Sequence, residues 1–310
     1  MGDTRFIGCY AGEYGDPVWF GRDQPAVELT HSHIGRTDAA DEVNSQWPPA
    51  VAAAAWQAVI GDNTERYDAA VELGASAYPQ AGPFLARLLR DPEWDVRAVV
   101  VRALAALRNG GFPDGDEAIV RAVVETLGDE NSLVSMHATN FVRAVNPSRE
   151  LLTQAIQLVY ADDPDLVVTG LRVVVALSRA DDPYGAVAAT FDGGSLLHLL
   201  QSPVADVRAE YLHALGAADQ NVAEAWEIGL RDELPDVRAR ALSAMRLLDD
   251  PPPARIVEPL VTDPAEGVRI EALFTLGQLG DYDPAVISVA LKDPSEQVRQ
   301  YTAMLLQATD

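Results

Sequence analysis

One short pattern recurs along this chain and constrains its fold more than any other feature. An Asp or Ser stands five residues ahead of a valine, and the valine opens an apolar run. The valines are Val96, Val134, Val168, Val207, Val237, Val268 and Val298, separated by 38, 34, 39, 30, 31 and 30 residues. Five residues earlier stand Asp91, Asp129, Asp163, Ser202, Asp232, Asp263 and Asp293, each of them followed by proline or glutamate, in stretches such as DPAEGVR and DPSEQVR. Self-similarity at this period marks a stack of small helical units, none of which can cover its own apolar face.

Each recurrence predicts a helix start. Asp or Ser at an N-cap accepts a first-turn amide, and proline suits the first helical position. Eight residues past the valines stand Leu104, Val142, Ala176, Leu215, Met245, Leu276 and Leu306, on the same helical face. Seven residues before them stand Leu89, Leu127, Ala161, Leu200, Leu230, Val261 and Leu291, which close a preceding short helix. Each unit therefore reads as helix, tight turn, helix. A degenerate first unit has Tyr67 as its anchor, Asp62 as its cap and Ile60 ending its first helix, with Asp68 where arginine stands elsewhere. Gly and Pro in RNGGFPDGDE (residues 108–117) and FDGGS (residues 191–195) mark loop insertions.

DPEWDVR, DPAEGVR and DPSEQVR, each leading into an Ala- and Leu-rich helix, resemble HEAT-like repeats, and the thirty-residue spacing is similar to the short bilin-lyase-type subgroup. The resemblance covers residues 49–310 and departs at Ser135 and Thr169, where arginine is absent. It implies an all-α fold: a right-handed α-solenoid of HEAT-like helical hairpins whose second helices line a concave surface. Proteins of this kind are scaffolds or binding modules. Residues 1–48, rich in Gly and aromatics, are expected to form an irregular N-terminal cap over the first repeat.

Arg97, Arg208, Arg238, Arg269 and Arg299 follow the anchor valines. An anion-binding ladder is one reading; bridges to the aspartates of the same or the next unit are the favoured one. A second series lies beside the core positions of the second helices, three, six and ten residues past each anchor: His137, Asn140, Glu210, His213, Arg240, Ser243, Glu271, Phe274, Gln278, Tyr301 and Met304. Polar groups mixed with aromatics and methionine are common at protein interfaces, so this stripe is the expected partner-binding surface. In the N-terminal segment, His31 and His33 would point to one side of a strand and could share a metal, and Trp19 and Trp47 could line an aromatic pocket. Packing within the cap is the alternative for all four.

The charge limits the partners. With 23 Lys and Arg against 47 Asp and Glu the net charge is −24, and Lys292 is the sole lysine. Such a surface repels nucleic acid and anionic membrane and suits a protein or peptide partner, a basic one included, or solubility alone. One cysteine, Cys9, excludes an intrachain disulfide and a thiolate cage. The absence of a signal-peptide pattern and of an apolar run of spanning length leads to a cytoplasmic expectation. No His-Glu dipeptide, phosphate loop, nucleophile elbow or zinc spacing occurs, so no cofactor is expected and a non-enzymatic module is favoured. Two alternatives stand beside it: a lyase-like enzyme or small-molecule binder with a site between cap and first repeats, and an acidic mimic of nucleic acid that occupies a basic protein's groove.

Overall fold

A computed structural model describes residues 47–108, 116–145, 148–178 and 188–307, with residue 185 and the backbone of 17–18 and 27–28. The chain divides into two compact units, residues 1–148 and 149–310. Residues 17–18 and 27–28 pair as an antiparallel two-residue ladder, Pro17 opposite Glu28 and Val18 opposite Val27, within a segment expected to be irregular. All other regular structure among the described residues is helical.

In the first unit, α1 (Pro49–Ile60) and α2 (Asn63–Ala75) form the first hairpin. Then come α3 (Ala81–Arg87), extended by a 3-10 turn, and α4 (Trp94–Arg108). The last pair is α5 (Asp116–Glu125), again with a 3-10 turn, and α6 (Ser132–Val145). The second helices stack in order, α2 on α4 and α4 on α6.

In the second unit, α7 (Arg149–Ile156) leads through a 3-10 turn to α8 (Pro164–Ser178). A 3-10 segment, Gly193–Gln201, precedes α9 (Ala205–Ala217), and α10 (Ala223–Gly229) precedes α11 (Pro235–Met245). Two 3-10 turns within Ala254–Thr262 lead to α12 (Glu266–Leu279). The short α13 (Pro284–Ile287), continued as a 3-10 turn, leads to α14 (Glu296–Gln307). Here too the second helices pack consecutively: α8, α9, α11, α12, α14. Each unit is a solenoid of helical hairpins.

The core follows the sequence periodicity. All seven anchor valines are buried, and so are five of the eight-residue partners: Leu104, Val142, Leu215, Met245 and Leu276. Ala176 and Leu306 are half-buried. The FDGGS stretch is less of an interruption than its glycines imply. Phe191 is buried, the Gly193 amide donates to Gln220 Oε1 at 2.7 Å, and the buried Tyr211 hydroxyl donates to the Gly193 carbonyl at 2.7 Å.

The aspartates were expected to cap the second helices, and most do something else. Asp91, Asp129, Asp263 and Asp293 close the preceding 3-10 turn, and the next helix begins at least three residues later. Their Oδ1 accepts the amide two residues on, from Glu93, Asn131, Ala265 and Ser295, at 2.8–3.0 Å. The motif is a turn between the helices, a geometry that Asp favours by bonding its own local backbone. The expectation holds at Asp62, where Glu65 N donates to Asp62 Oδ1 and Asp62 N donates to Glu65 Oε2, both at 2.9 Å, in a capping box.

Candidate interaction surface

The turn carboxylates also receive arginines from the unit before. Arg97 Nε and Nη2 donate to Asp129 at 2.7 and 2.9 Å, Arg208 to Asp232 at 2.7 and 2.9 Å, and Arg238 to Asp263 at 2.8 and 2.7 Å. Arg269 reaches Asp293 in the same way at 2.7 and 2.9 Å. The third nitrogen, Nη1, turns back onto main-chain carbonyls of its own unit, such as Asp91 and Pro92 for Arg97. These arginines are spent on structure, as the favoured reading held. The first unit also has its rung, which the sequence reading missed. Arg66, not position 68, donates to both oxygens of Asp91 at 2.9 and 3.0 Å. Its α2 is capped at Asp62 and starts one residue on, so the arginine keeps the fourth helical position of the other rungs but stands closer to its capping aspartate in sequence.

With the ladder accounted for, the exposed stripe of the second helices is the remaining candidate surface. In the first unit His137 is half-buried and Asn140 exposed on α6. Burial, aided by the charge of Arg102, holds the His137 imidazole below its ordinary value. In the second unit the stripe residues meet one another across helices. Glu210, on α9, opposes its own ionisation by burial. The His213 hydrogen bond and the charges of Arg240 and Arg172 outweigh that and hold its carboxyl below the usual range. Arg172 Nε, on α8, lies 3.3 Å from Glu210 Oε1, and His213 Nδ1 lies 3.5 Å from Oε2. Arg240 stands on α11, and Ser243 bonds back to the Arg240 carbonyl at 2.9 Å.

Further along, Arg246 Nη1 donates to Glu271 Oε2 at 2.6 Å and to Thr275 Oγ1 at 3.1 Å. Gln278 Nε2 donates to the Arg246 carbonyl at 2.8 Å, which satisfies a carbonyl freed at the end of α11. Next, the rings of Phe274 and Tyr301 lie 4.4 Å apart, tilted by 56°. Phe274 is 44% exposed and Met304 63%. Glu210, Glu271 and Gln278 are thus held by bonds to a neighbouring repeat, and the far end of the stripe carries the exposed Phe274 and Met304. Arg172 and Arg246 belong to this surface and were not foreseen. They sit four and nine residues past their anchors, off the predicted stripe, and only the opposite charge on the neighbouring helix betrays them.

The N-terminal candidates divide. Trp47 is 8% exposed, with Tyr78 and Phe84 edge-on to it at 5.4 and 6.1 Å, so its ring is packed by other aromatics. Trp19, His31 and His33 lie outside the described residues. Among the described residues no group of three His, Cys, Asp or Glu could hold a metal, and no helix is long and apolar enough to cross a membrane. An open cleft of about 500 Å³ lies among the first helices of the second unit, with Glu227, Arg231, Arg255 and Pro259 in its walls and no stripe residue among them.

Comparison with known proteins bears on the repeat itself. A family model described as HEAT repeats matches residues 223–307, and one described as HEAT repeat matches residues 82–107. No curated protein matches the sequence. Among solved structures, an engineered protein is similar at 17% identity over 90% of this chain and 85% of its own, with a TM-score of 0.46. The Escherichia coli protein YibA is similar at 17% identity over 63% of this chain and 74% of its own, with a TM-score of 0.46. Importin beta is similar at 16% identity over 88% of this chain and 42% of its own, with a TM-score of 0.41. The chain carries HEAT repeats, one matched stretch falling in each of its two units.

Proposed function

We propose that the chain is a protein- or peptide-binding scaffold and that the second-helix stripe of residues 149–310 reads its partner. One observation carries this reading: the exposed Phe274 lies against the half-buried Tyr301, with Met304 exposed on the same helix as Tyr301, beside Glu271 and Gln278, which are both bonded to Arg246. An exposed aromatic ring backed by a second ring is the type of anchor that dominates binding energy at protein interfaces. The bonded polar row lowers the ordering cost on association, because Glu271 and Gln278 are fixed beforehand. The excess of 47 acidic over 23 basic residues favours a partner with a basic rim.

The test is affinity capture from native extract with the full chain and with Phe274→Ala/Tyr301→Ala, at low and high salt. Loss of a captured protein from the variant, with helical content kept, supports the reading. Identical capture by both chains overturns it. A partner whose capture depends on salt alone and not on the aromatics would instead identify an acidic mimic of nucleic acid.

A further inference from the structure

We propose, on the reading of the stripe as the recognition surface, that its middle receives an acidic side chain of the partner, an Asp or Glu whose carboxylate pairs with Arg240. Of the buried and half-buried arginines described in residues 149–310, Arg172, Arg208, Arg238, Arg246 and Arg269 each bond a carboxylate, and Arg299 bonds two carbonyls. Arg240 is half-buried too, yet its guanidinium makes no hydrogen bond or ion pair among the described residues. A guanidinium in that state has lost part of its hydration and gained no partner in return.

The acids nearby are engaged elsewhere. Arg240 holds on α11 the place of Glu210 on α9 and Glu271 on α12, three residues past the anchor valine. Glu210 is taken by Arg172 at 3.3 Å and by His213 at 3.5 Å, and Glu271 by Arg246 at 2.6 Å. Arg240 acts on Glu210 through its charge alone. Asp236, one turn earlier on α11, is exposed and does not pair with it. Arg172 and Arg240 around the single charge of Glu210 leave one positive charge uncompensated, in a unit whose sequence holds 26 acidic against 12 basic residues. One carboxylate balances that charge, and the fork of a guanidinium matches a carboxylate in shape. A partner with a basic rim can carry such an acid at its centre. An acidic group is repelled by the rest of this unit and accepted at Arg240, so the pair fixes the register of the partner on the stripe.

The probe is a display library of short random peptides, selected on the full-length protein and, in parallel, on Arg240→Gln and on Phe274→Ala/Tyr301→Ala. Peptides enriched on the parent should carry an Asp or Glu that selection on Arg240→Gln no longer requires. For one such peptide made synthetically, Arg240→Gln in the protein and the acid-to-amide change in the peptide should each weaken binding about tenfold or more. The two changes together should weaken it little further. Arg240→Gln should melt near the parent, because no bond of the folded chain goes with the guanidinium. A second variant, Arg240→Lys, keeps the charge without the fork and should bind between the parent and Arg240→Gln. Peptides that need the aromatic pair, carry no acid and bind Arg240→Gln as tightly as the parent would overturn the proposal and leave the scaffold reading standing. Acidic peptides that need Arg240 but not the aromatics would uphold it and remove the aromatic pair from recognition. A selection with no peptide sensitive to either variant would overturn both. Tighter binding of a phosphoserine analogue than of the acidic peptide would also overturn the proposal, by assigning the site to a phosphate.

Discussion

Arg269 places Nε and Nη2 on the two oxygens of Asp293, 2.7 and 2.9 Å away, while its Nη1 holds the carbonyl of Asp263 at 2.9 Å. One side chain thus ties its own turn to the turn of the following unit. Both partners are sequestered, with side-chain exposures of 10% and 8%. Removing one partner leaves the other charge buried, which costs roughly 3 kcal/mol, whereas removing both leaves no orphaned charge and only the lost backbone bonds of the two side chains. Arg269→Met and Asp293→Leu should each destabilise the second unit by about that amount, and the double variant should lose clearly less than the sum. Urea denaturation of the four chains measures it. Additive losses would show that the two residues act separately.

The same carboxylates set an acid limit. Burial works against ionisation of Asp293, and the Arg269 hydrogen bond, the Ser295 amide and the charges of Arg269 and Arg299 outweigh it, so its pKa is lowered. Asp232 is lowered in the same way against burial, by Arg208, the Leu234 amide and Arg238. A carboxyl lowered in the folded state contributes stability that is complete above its unfolded value and is lost as pH falls through the folded value. Unfolding midpoints should therefore be flat near neutrality and drop from about pH 5 downward. Asp293→Asn should be less stable at pH 7 yet lose less on acidification. A variant with an unaltered acid slope would remove Asp293 from the cause.

The repeat was legible in the sequence because burial on a helix has a period, and all seven anchor valines are buried as the spacing requires. The function of the aspartates was not. Spacing shows that an Asp precedes a helix, but a helix cap and a turn that bonds an arginine 24 or more residues back place the same residue at nearly the same position. Arg66 escaped notice because α2 starts one residue after its cap, which shifts the arginine off the common register. On the stripe, Phe274, Glu271 and Tyr301 could be named from helix geometry alone. Arg172 and Arg246 could not, since their partners are fixed by how neighbouring helices align.

Two glycines on second helices should respond to alanine with opposite signs. Gly74, on α2, faces α4, where an added Cβ would lie 2.7 Å from both Ala103 Cα and Cβ. The helix pair cannot keep its spacing there, so Gly74→Ala should destabilise by about 1–3 kcal/mol, the overpacking range, despite alanine's better helix propensity. Gly267, in the first turn of α12, has nothing within 4 Å of such a Cβ. Gly267→Ala should stabilise by up to about 1 kcal/mol through the unfolded chain's lost freedom. Thermal melts of the two variants decide it; a stabilised Gly74→Ala would mean that α2 and α4 can separate without cost.

The aromatic pair allows binding and stability to be separated. Phe274 is already 44% exposed, so truncating it returns only part of a phenylalanine's burial energy, and Met304 at 63% returns less. Phe274→Ala should cost about 1 kcal/mol of stability and Met304→Ala under about 0.5 kcal/mol, well below the 3–5 kcal/mol of a core phenylalanine. Glu271→Gln loses its charge-assisted bond from Arg246, yet the amide oxygen can still accept from it, so the polar row should persist with a weaker bond. If the stripe reads a partner, Phe274→Ala should lower affinity at least tenfold at every salt concentration. Glu271→Gln should act mainly at low salt, where exposed charges are least screened. Affinity measured for both variants at two ionic strengths separates the contributions. A Phe274→Ala protein that binds as tightly as the parent would leave the apolar end of the stripe without a role in recognition.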